Sequence, residues 1–250
     1  MTFKLLTLRV RQDQGEQFIK DLRAARPAGF RGLPVIDATP CAAGCDACVT
    51  ACPTAAITTA PLALDLGACV FCGECARVCP AQKIAMTTEV AMASSARAEL
   101  VVHEGPARRP PIDVAAAIRK AFGRSLKLRQ VSAGGCNACE LELNALANVN
   151  FDAQRHGIEW VASPRHADGL VLTGPLTKNM QDAVQLAWDA MPDPKFVVAV
   201  GACAISGGLY RDAPGVAREF LAKVGPLVYV PGCPPHPLTV AQALLDVMGR

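Results

Sequence analysis

Apolar runs alternate with amphipathic segments through the second half of the chain. The apolar runs predict five strands, at residues 126–131, 158–162, 169–173, 196–200 and 227–230. In two later segments apolar residues recur on one helical face: Met180, Val184, Ala187, Trp188 and Met191 in the first, and Val240, Ala241, Leu244, Leu245 and Met248 in the second. This alternation predicts an α/β domain built on an open parallel sheet.

A proline-rich segment divides the chain. Residues 103–112 read HEGPARRPPI, and three prolines, a glycine and two arginines are typical of a linker. We therefore predict an N-terminal region at 1–104, a linker with a connecting helix at 105–125, and the α/β domain at 126–250. Within the mixed first part of the chain we expect a helix near residues 15–25.

The composition fits a folded metalloprotein. The 250 residues are 51% hydrophobic and 19% charged, which suffices for a core and excludes a disordered tail protein. Twelve cysteines lie in a chain longer than disulfide scaffolds usually are. Residues 1–20 lack the apolar core of a secretory leader, and Pro53 and Pro61 interrupt the longest uncharged stretch. We therefore expect no export, no transmembrane segment, and reduced thiols that bind metal in the cytosol.

Eight cysteines form an internal repeat in the N-terminal region. Cys69, Cys72, Cys75 and Cys79 are spaced as in a bacterial ferredoxin run and precede Pro80. The first run, Cys41, Cys45, Cys48 and Cys52, also precedes a proline but has one extra residue in its first gap. Gly44 and Gly73 ease the two turns, and each fourth cysteine is expected to start a helix. Zinc is the alternative, although its ligands usually come as separated CxxC pairs.

The other four cysteines follow predicted strands. Cys136 and Cys139 come after the first strand, Cys203 after the fourth and Cys233 after the fifth. The carboxyl ends of parallel strands meet at one edge of a sheet, where such folds build their sites. Neighbouring glycines allow close backbone approach. The arrangement predicts a third cluster site, and scattered structural cysteines are the alternative.

These motifs resemble known electron-transfer subunits. GGCNAC, TGPLTKNM, GACAISGG and VPGCPPHP resemble the small subunit of membrane-bound [NiFe] hydrogenases of the formate hydrogenlyase type, and are similar to the B-type subunit of respiratory complex I. FRGLPVID and LGACVFCGECARVCP are similar to the ferredoxin-like subunit of the same hydrogenlyase. The chain resembles a fusion of these two subunits. The implied fold is a flavodoxin-like open parallel sheet with an N-terminal α+β ferredoxin domain that holds two clusters.

We expect three [4Fe–4S] clusters with four cysteine ligands each. In two-cluster ferredoxin domains the fourth cysteine of each run ligates the other cluster. The predicted ligand sets are Cys41, Cys45, Cys48 and Cys79; Cys69, Cys72, Cys75 and Cys52; and Cys136, Cys139, Cys203 and Cys233.

The resemblance implies an electron-transfer subunit of an oxidoreductase with no complete active site of its own. It implies a separate [NiFe] large subunit, further membrane-arm and electron-donor subunits, and a peripheral position on the cytoplasmic face of the inner membrane. Because a cluster with four thiolates carries about −2, the formal charge of +3 does not indicate a nucleic-acid partner.

Three other functions stay open. They are a complex I-like module that reduces quinone, a ferredoxin-linked hydrogenase without a membrane arm, and a non-catalytic cluster carrier or sensor. Complex I relatives open this motif with two adjacent cysteines, whereas here Cys136 and Cys139 are separated.

Glu142 is a weak proton-relay candidate. His236 stands where complex I relatives usually have Arg, and is expected to face the surface or a partner rather than tune a cluster.

Overall fold

The computed structural model describes residues 29–106 and 108–250. The helix expected near residues 15–25 lies outside this part. The ferredoxin-like region contains two small antiparallel sheets, β1–β4 and β2–β3–β5, with a short helix in each cysteine run. Its elements are β1 (Pro34–Ile36), α1 (Ala47–Thr50), β2 (Ile57–Thr59), β3 (Leu62–Asp65), α2 (Glu74–Val78), β4 (Ile84–Met86) and β5 (Val101–His103).

The fourth cysteine of each run follows a helix, so the expectation that it starts one is wrong. Cys52 lies just beyond α1, and Cys79 ends α2 with extended backbone angles. The physical reason is the next residue. Pro53 and Pro80 disfavour the α conformation of the residue before them, so neither cysteine can sit in a helix that continues.

The second half is an α/β domain with a five-stranded parallel sheet in the order β10–β9–β8–β6–β7. The chain order within this sheet is that of flavodoxin-like folds, with the switch point between β6 and β8. All five predicted strands are confirmed, although β7 is shorter than expected. The elements are α3 (Ala116–Phe122), β6 (Leu126–Ser132), α4 (Ala138–Ala145), β7 (Ile158–Trp160), β8 (Gly169–Thr173), α5 (Lys178–Asp189), β9 (Phe196–Val200), α6 (Ala202–Ser206), α7 (Glu219–Val224), β10 (Val228–Val230) and α8 (Pro237–Met248).

The last helix is buried on nearly all sides, although its pattern predicted one apolar face. Eleven of its twelve residues are buried, and Asp246 is the exception. One side packs with the sheet, while Val90 and Ala93 from the N-terminal region join the same core cluster. The buried Gln242 amide donates to Asp246 at 2.9 Å, which satisfies a polar group in an apolar setting.

The two halves share a continuous interior. Leu66 and Met92 of the ferredoxin-like region pack in one cluster with Ala204 and Ile205 of the α/β domain. Ser94 and Tyr229 exchange two backbone hydrogen bonds, at 3.1 and 2.8 Å. Val90, Ala93 and Ser94 lie before residue 105 and already pack against the α/β half. The domain boundaries placed at 105–125 stay a prediction. In the described part of the chain, each helix is too short or too polar to cross a bilayer.

Candidate iron–sulfur sites

The structure brings cysteines together at three places, where neighbouring thiols interact electrostatically. Cys48 interacts with Cys41 and Cys79, and these three belong to the outer group, to which Cys45 is assigned from its position in the sequence. The middle group is Cys52, Cys69, Cys72 and Cys75. The inner group is Cys136, Cys139, Cys203 and Cys233. This grouping agrees with the predicted ligand sets, whose ligand roles stay a prediction.

The middle group lines a narrow apolar pocket of about 10 Å³. Burial raises the pKa of the Cys69 thiol to about 12 and that of Cys75 to about 11. The Cys69 sulfur accepts a hydrogen bond from the backbone N–H of Phe71 at 3.2 Å. Such bonds stabilise thiolate sulfur and tune a bound metal centre.

The two runs support their fourth cysteines in the same way. The N–H of Ala56 donates to the Cys52 sulfur at 3.2 Å, and the N–H of Lys83 donates to the Cys79 sulfur at 3.3 Å. Each donor lies four residues after its cysteine. The internal repeat in the sequence is therefore also a repeat in hydrogen bonding.

The outer group differs from the middle group at its first cysteine. Cys41 is exposed, whereas Cys69, its counterpart in the repeat, is only 8% exposed. Gly44 in the enlarged gap has a φ of +72°, in the left-handed region that favours glycine, and its role in accommodating the extra residue stays a prediction. The ammonium of Lys83 lies 3.6 Å from the Cys41 sulfur and 2.5 Å from the Glu104 carboxylate. The run with the extra residue therefore has the more accessible first thiol, that of Cys41, and this thiol lies beside the ion pair of Lys83 and Glu104.

The inner group lies at the carboxyl ends of β6, β9 and β10, as the sequence predicted. A Cβ on Gly201, whose φ is +89°, would lie 2.7 Å from the Cys139 sulfur, so only glycine fits there. Burial raises the pKa of Cys139 to about 12 and that of Cys203 to about 11. Cys136 and Cys233 are exposed, and the group therefore opens toward the molecular surface.

Two glutamates on α4 occupy different environments. Glu140 is 6% exposed and accepts a hydrogen bond from the Thr173 hydroxyl at 2.6 Å. Burial raises the pKa of Glu140, but hydrogen bonds from Ser132 and Thr173 outweigh this effect and place the pKa below its usual value. Glu142 is half-buried, and burial raises its pKa. Its role as a relay stays a prediction.

His236 is a structural residue at the start of α8. Its Nδ1 accepts a hydrogen bond from the backbone N–H of Leu238 at 3.1 Å, which caps the helix. The half-buried ring packs near Phe30 and Phe151, with ring centroids 5.1 and 6.0 Å away. The sequence did not indicate this cap.

The donor chemistry of the three groups fits iron–sulfur clusters. Four cysteines are the usual ligand set of a [4Fe–4S] cluster. The buried thiols would have to lose their protons on binding, and positive iron compensates for this otherwise unfavourable charge. Within residues 29–106 and 108–250, no three His, Cys, Asp or Glu side chains converge as ligands of a single metal ion do. The four cysteines of the middle group line one apolar pocket.

The chain belongs to the family described as the 20 kDa subunit of NADH–ubiquinone oxidoreductase, whose model matches residues 136–247. A 4Fe–4S binding domain matches residues 62–82, which include the second cysteine run. The resemblance of the α/β half to this class of subunit is therefore confirmed, and so is its flavodoxin-like fold.

The relatives belong to hydrogenase and respiratory complexes. The chain is 39% identical over 131 residues to the probable membrane-bound hydrogenase subunit mbhJ of Pyrococcus furiosus, covering 52% of this chain and 78% of that protein. It is 42% identical over 134 residues to formate hydrogenlyase subunit 7 of Escherichia coli, covering 54% and 52%. It is 40% identical over 114 residues to a B-type NADH-quinone oxidoreductase subunit of Roseiflexus, covering 45% and 42%. The chain thus spans about half of the latter two proteins.

Proposed function

We propose that this chain is the iron–sulfur electron-transfer subunit of a multisubunit [NiFe] hydrogenase, with one [4Fe–4S] cluster at each cysteine group. The observation that carries the proposal is the presence of three groups of four cysteines in two halves that pack directly against each other. A cluster of this kind, when bound, accepts and releases one electron at a time. The chain itself supplies the ligands, their burial and the hydrogen bonds to sulfur.

The three groups suggest an order of electron transfer. Cys48 of the outer group interacts electrostatically with Cys75 of the middle group. Cys72 of the middle group and Cys233 of the inner group line one shared pocket, together with Phe71 and His236. These neighbours support a relay from outer to middle to inner group, or the reverse.

The exposed side of the inner group suits a catalytic partner. Cys136 and Cys233 are exposed, and Leu141, two residues after Cys139, is 60% exposed. A single exposed leucine is normal at a protein surface, so the two exposed cysteines are the feature that supports a partner here. We infer that this surface contacts a [NiFe] large subunit, that an electron donor reaches the outer group, and that membrane-arm subunits hold the complex peripherally on the cytoplasmic face of the membrane.

A complex I-like quinone reductase is the second candidate, because the NADH-quinone oxidoreductase relative from Roseiflexus is also similar to this chain. The separated pair Cys136 and Cys139 favours the hydrogenase, since the complex I motif opens with adjacent cysteines. Co-purification from the native source separates the two: a nickel-containing partner supports hydrogenase, and quinone reductase activity without nickel supports the alternative.

The cluster assignment is tested by anaerobic reconstitution of the full chain followed by metal and sulfide analysis. We expect about twelve iron and twelve acid-labile sulfide per chain. A Cys233→Ala variant, which removes one inner ligand, is the matched comparison and should hold about four fewer irons. Near-stoichiometric zinc with little sulfide would contradict the assignment, and about eight irons in the unmodified chain would show that one group holds no cluster.

A further inference from the structure

Arg218, which directly precedes α7, holds the short helix that carries Cys203. Its guanidinium donates hydrogen bonds to the carbonyls of Cys203 at 3.3 Å, Ala204 at 2.8 Å and Ile205 at 2.7 Å. All three carbonyls belong to α6, a helix of five residues. The last carbonyls of a helix have no partner within it and carry its negative end. Arg218 therefore fixes the backbone of the Cys203 ligand.

The charge of Arg218 has no carboxylate partner in the part of the chain that the structure describes. Arg97, the neighbouring cation, is paired with the Asp65 carboxylate at 2.7 and 2.5 Å. Arg218 is repelled by the like charge of Arg97 and interacts favourably with the Cys203 thiol and the Tyr229 hydroxyl. The carbonyls of α6 compensate part of this charge, and an anionic group bound at Cys203 would compensate more of it.

We infer that Arg218 is a positioning residue of the inner site, which orients Cys203 and raises the reduction potential of the cluster bound there. The inference rests on the proposed function. Reduction adds one electron and makes the cluster more negative, and a nearby fixed positive charge stabilises that state more than the oxidised one. At the other two groups, Lys83 is paired with Glu104, while the exposed Arg31 and Arg211 donate to the carbonyls of Cys72 and Thr54.

The test is a redox titration of the full reconstituted chain, followed by electron paramagnetic resonance. The signals of the outer and middle clusters serve as references in the same sample. Arg218→Gln should lower the potential of the inner cluster alone, by about tenfold in its reduction equilibrium, or about 59 mV for one electron. Arg218→Lys keeps the charge and should leave the potential near that of the unmodified chain, with a lower unfolding temperature because the fork of carbonyl bonds is lost.

Arg250→Gln is the matched control. Arg250 also donates to a carbonyl, that of His156 at 2.8 Å, but it follows the far end of α8, about 18 Å along the helix from the Cys233 loop. It should shift no potential.

Equal shifts in Arg218→Gln and Arg218→Lys, or none in Arg218→Gln, would overturn the inference. If Arg218→Gln does not retain the inner signal, the potential of the inner cluster in Arg218→Lys tests the inference instead. An unchanged potential supports the role of the positive charge, and a shifted potential refutes it. If the unmodified chain shows no inner signal after reconstitution, the proposed function is refuted, and with it the role of Arg218.

Discussion

Gly201 offers the sharpest test of how the inner site is built. The residue follows β9 and has φ +89° and ψ 156°, a region that L side chains rarely occupy. A Cβ there would lie 2.7 Å from the Cys139 sulfur, well inside contact distance. Gly201→Ala therefore combines backbone strain with a clash against a predicted ligand.

Backbone strain and the clash with sulfur each lower the free energy of unfolding, and a control variant separates the two contributions. Backbone strain of this kind costs about 1–3 kcal/mol. Inserting a methyl group into a filled space costs about 1–3 kcal/mol more. Gly225→Ala is the control, because Gly225 has φ +70° and no atom within 4 Å of its added Cβ. The difference between the two variants isolates the contact with Cys139.

We expect Gly201→Ala to unfold at lower denaturant concentration than Gly225→Ala, measured anaerobically on the reconstituted chain. The difference in unfolding free energy should be about 1–3 kcal/mol. Gly201→Ala should also lose about four irons per chain, because the displaced Cys139 no longer fits a cluster, while Gly225→Ala keeps its full complement. If Gly201→Ala retains all its iron and is as stable as the control, the close contact between Gly201 and the Cys139 sulfur does not determine how the inner site is built.

Two further predictions concern the separate sites. Cys203→Ala should remove the inner resonance signal and leave the outer and middle signals, because all inner ligands lie in the α/β half; three intact signals would refute the inner ligand set. Mild oxidation should convert the outer cluster to a three-iron form before the middle one, since Cys41 is exposed and Cys69 is buried, and deletion of Ala43 should slow that conversion. Earlier loss of iron from the middle cluster would show that the extra residue does not loosen its site.

The sheet could be predicted from sequence because of how it is buried. All residues of β8 and β9 are buried, since helices cover both faces of a parallel sheet, and this produces unbroken apolar runs. The spacing of the cysteines predicted their grouping for a similar reason. Strand ends and tight loops are local features of the sequence. A parallel sheet places the ends of its strands at one edge, so the cysteines that follow those strands come together.

Other features of the fold and the sites could not be predicted, because they depend on contacts between residues distant in sequence. The second face of α8 is covered partly by Val90 and Ala93, about 150 residues earlier in the chain. Helical periodicity cannot report this contact, because it records only the residues of the helix itself. Arg218 and Lys83 could not be identified for the same reason: they contact Cys203 and Cys41, which are distant in sequence, and no local pattern marks either cation.

The spacing between the middle and inner groups is set by packing rather than by the linker. Gly67, two residues before Cys69, lies against α6: an added Cβ would meet Ile205 Cγ2 and Arg97 Cζ, each at 2.7 Å. Arg97 is held in turn by Asp65, whose carboxylate also accepts the Gly67 N–H at 2.9 Å. The loop that leads to Cys69 and the helix that carries Cys203 are therefore in direct contact. Electron transfer needs a fixed distance between sites, and in this chain a buried interface supplies it.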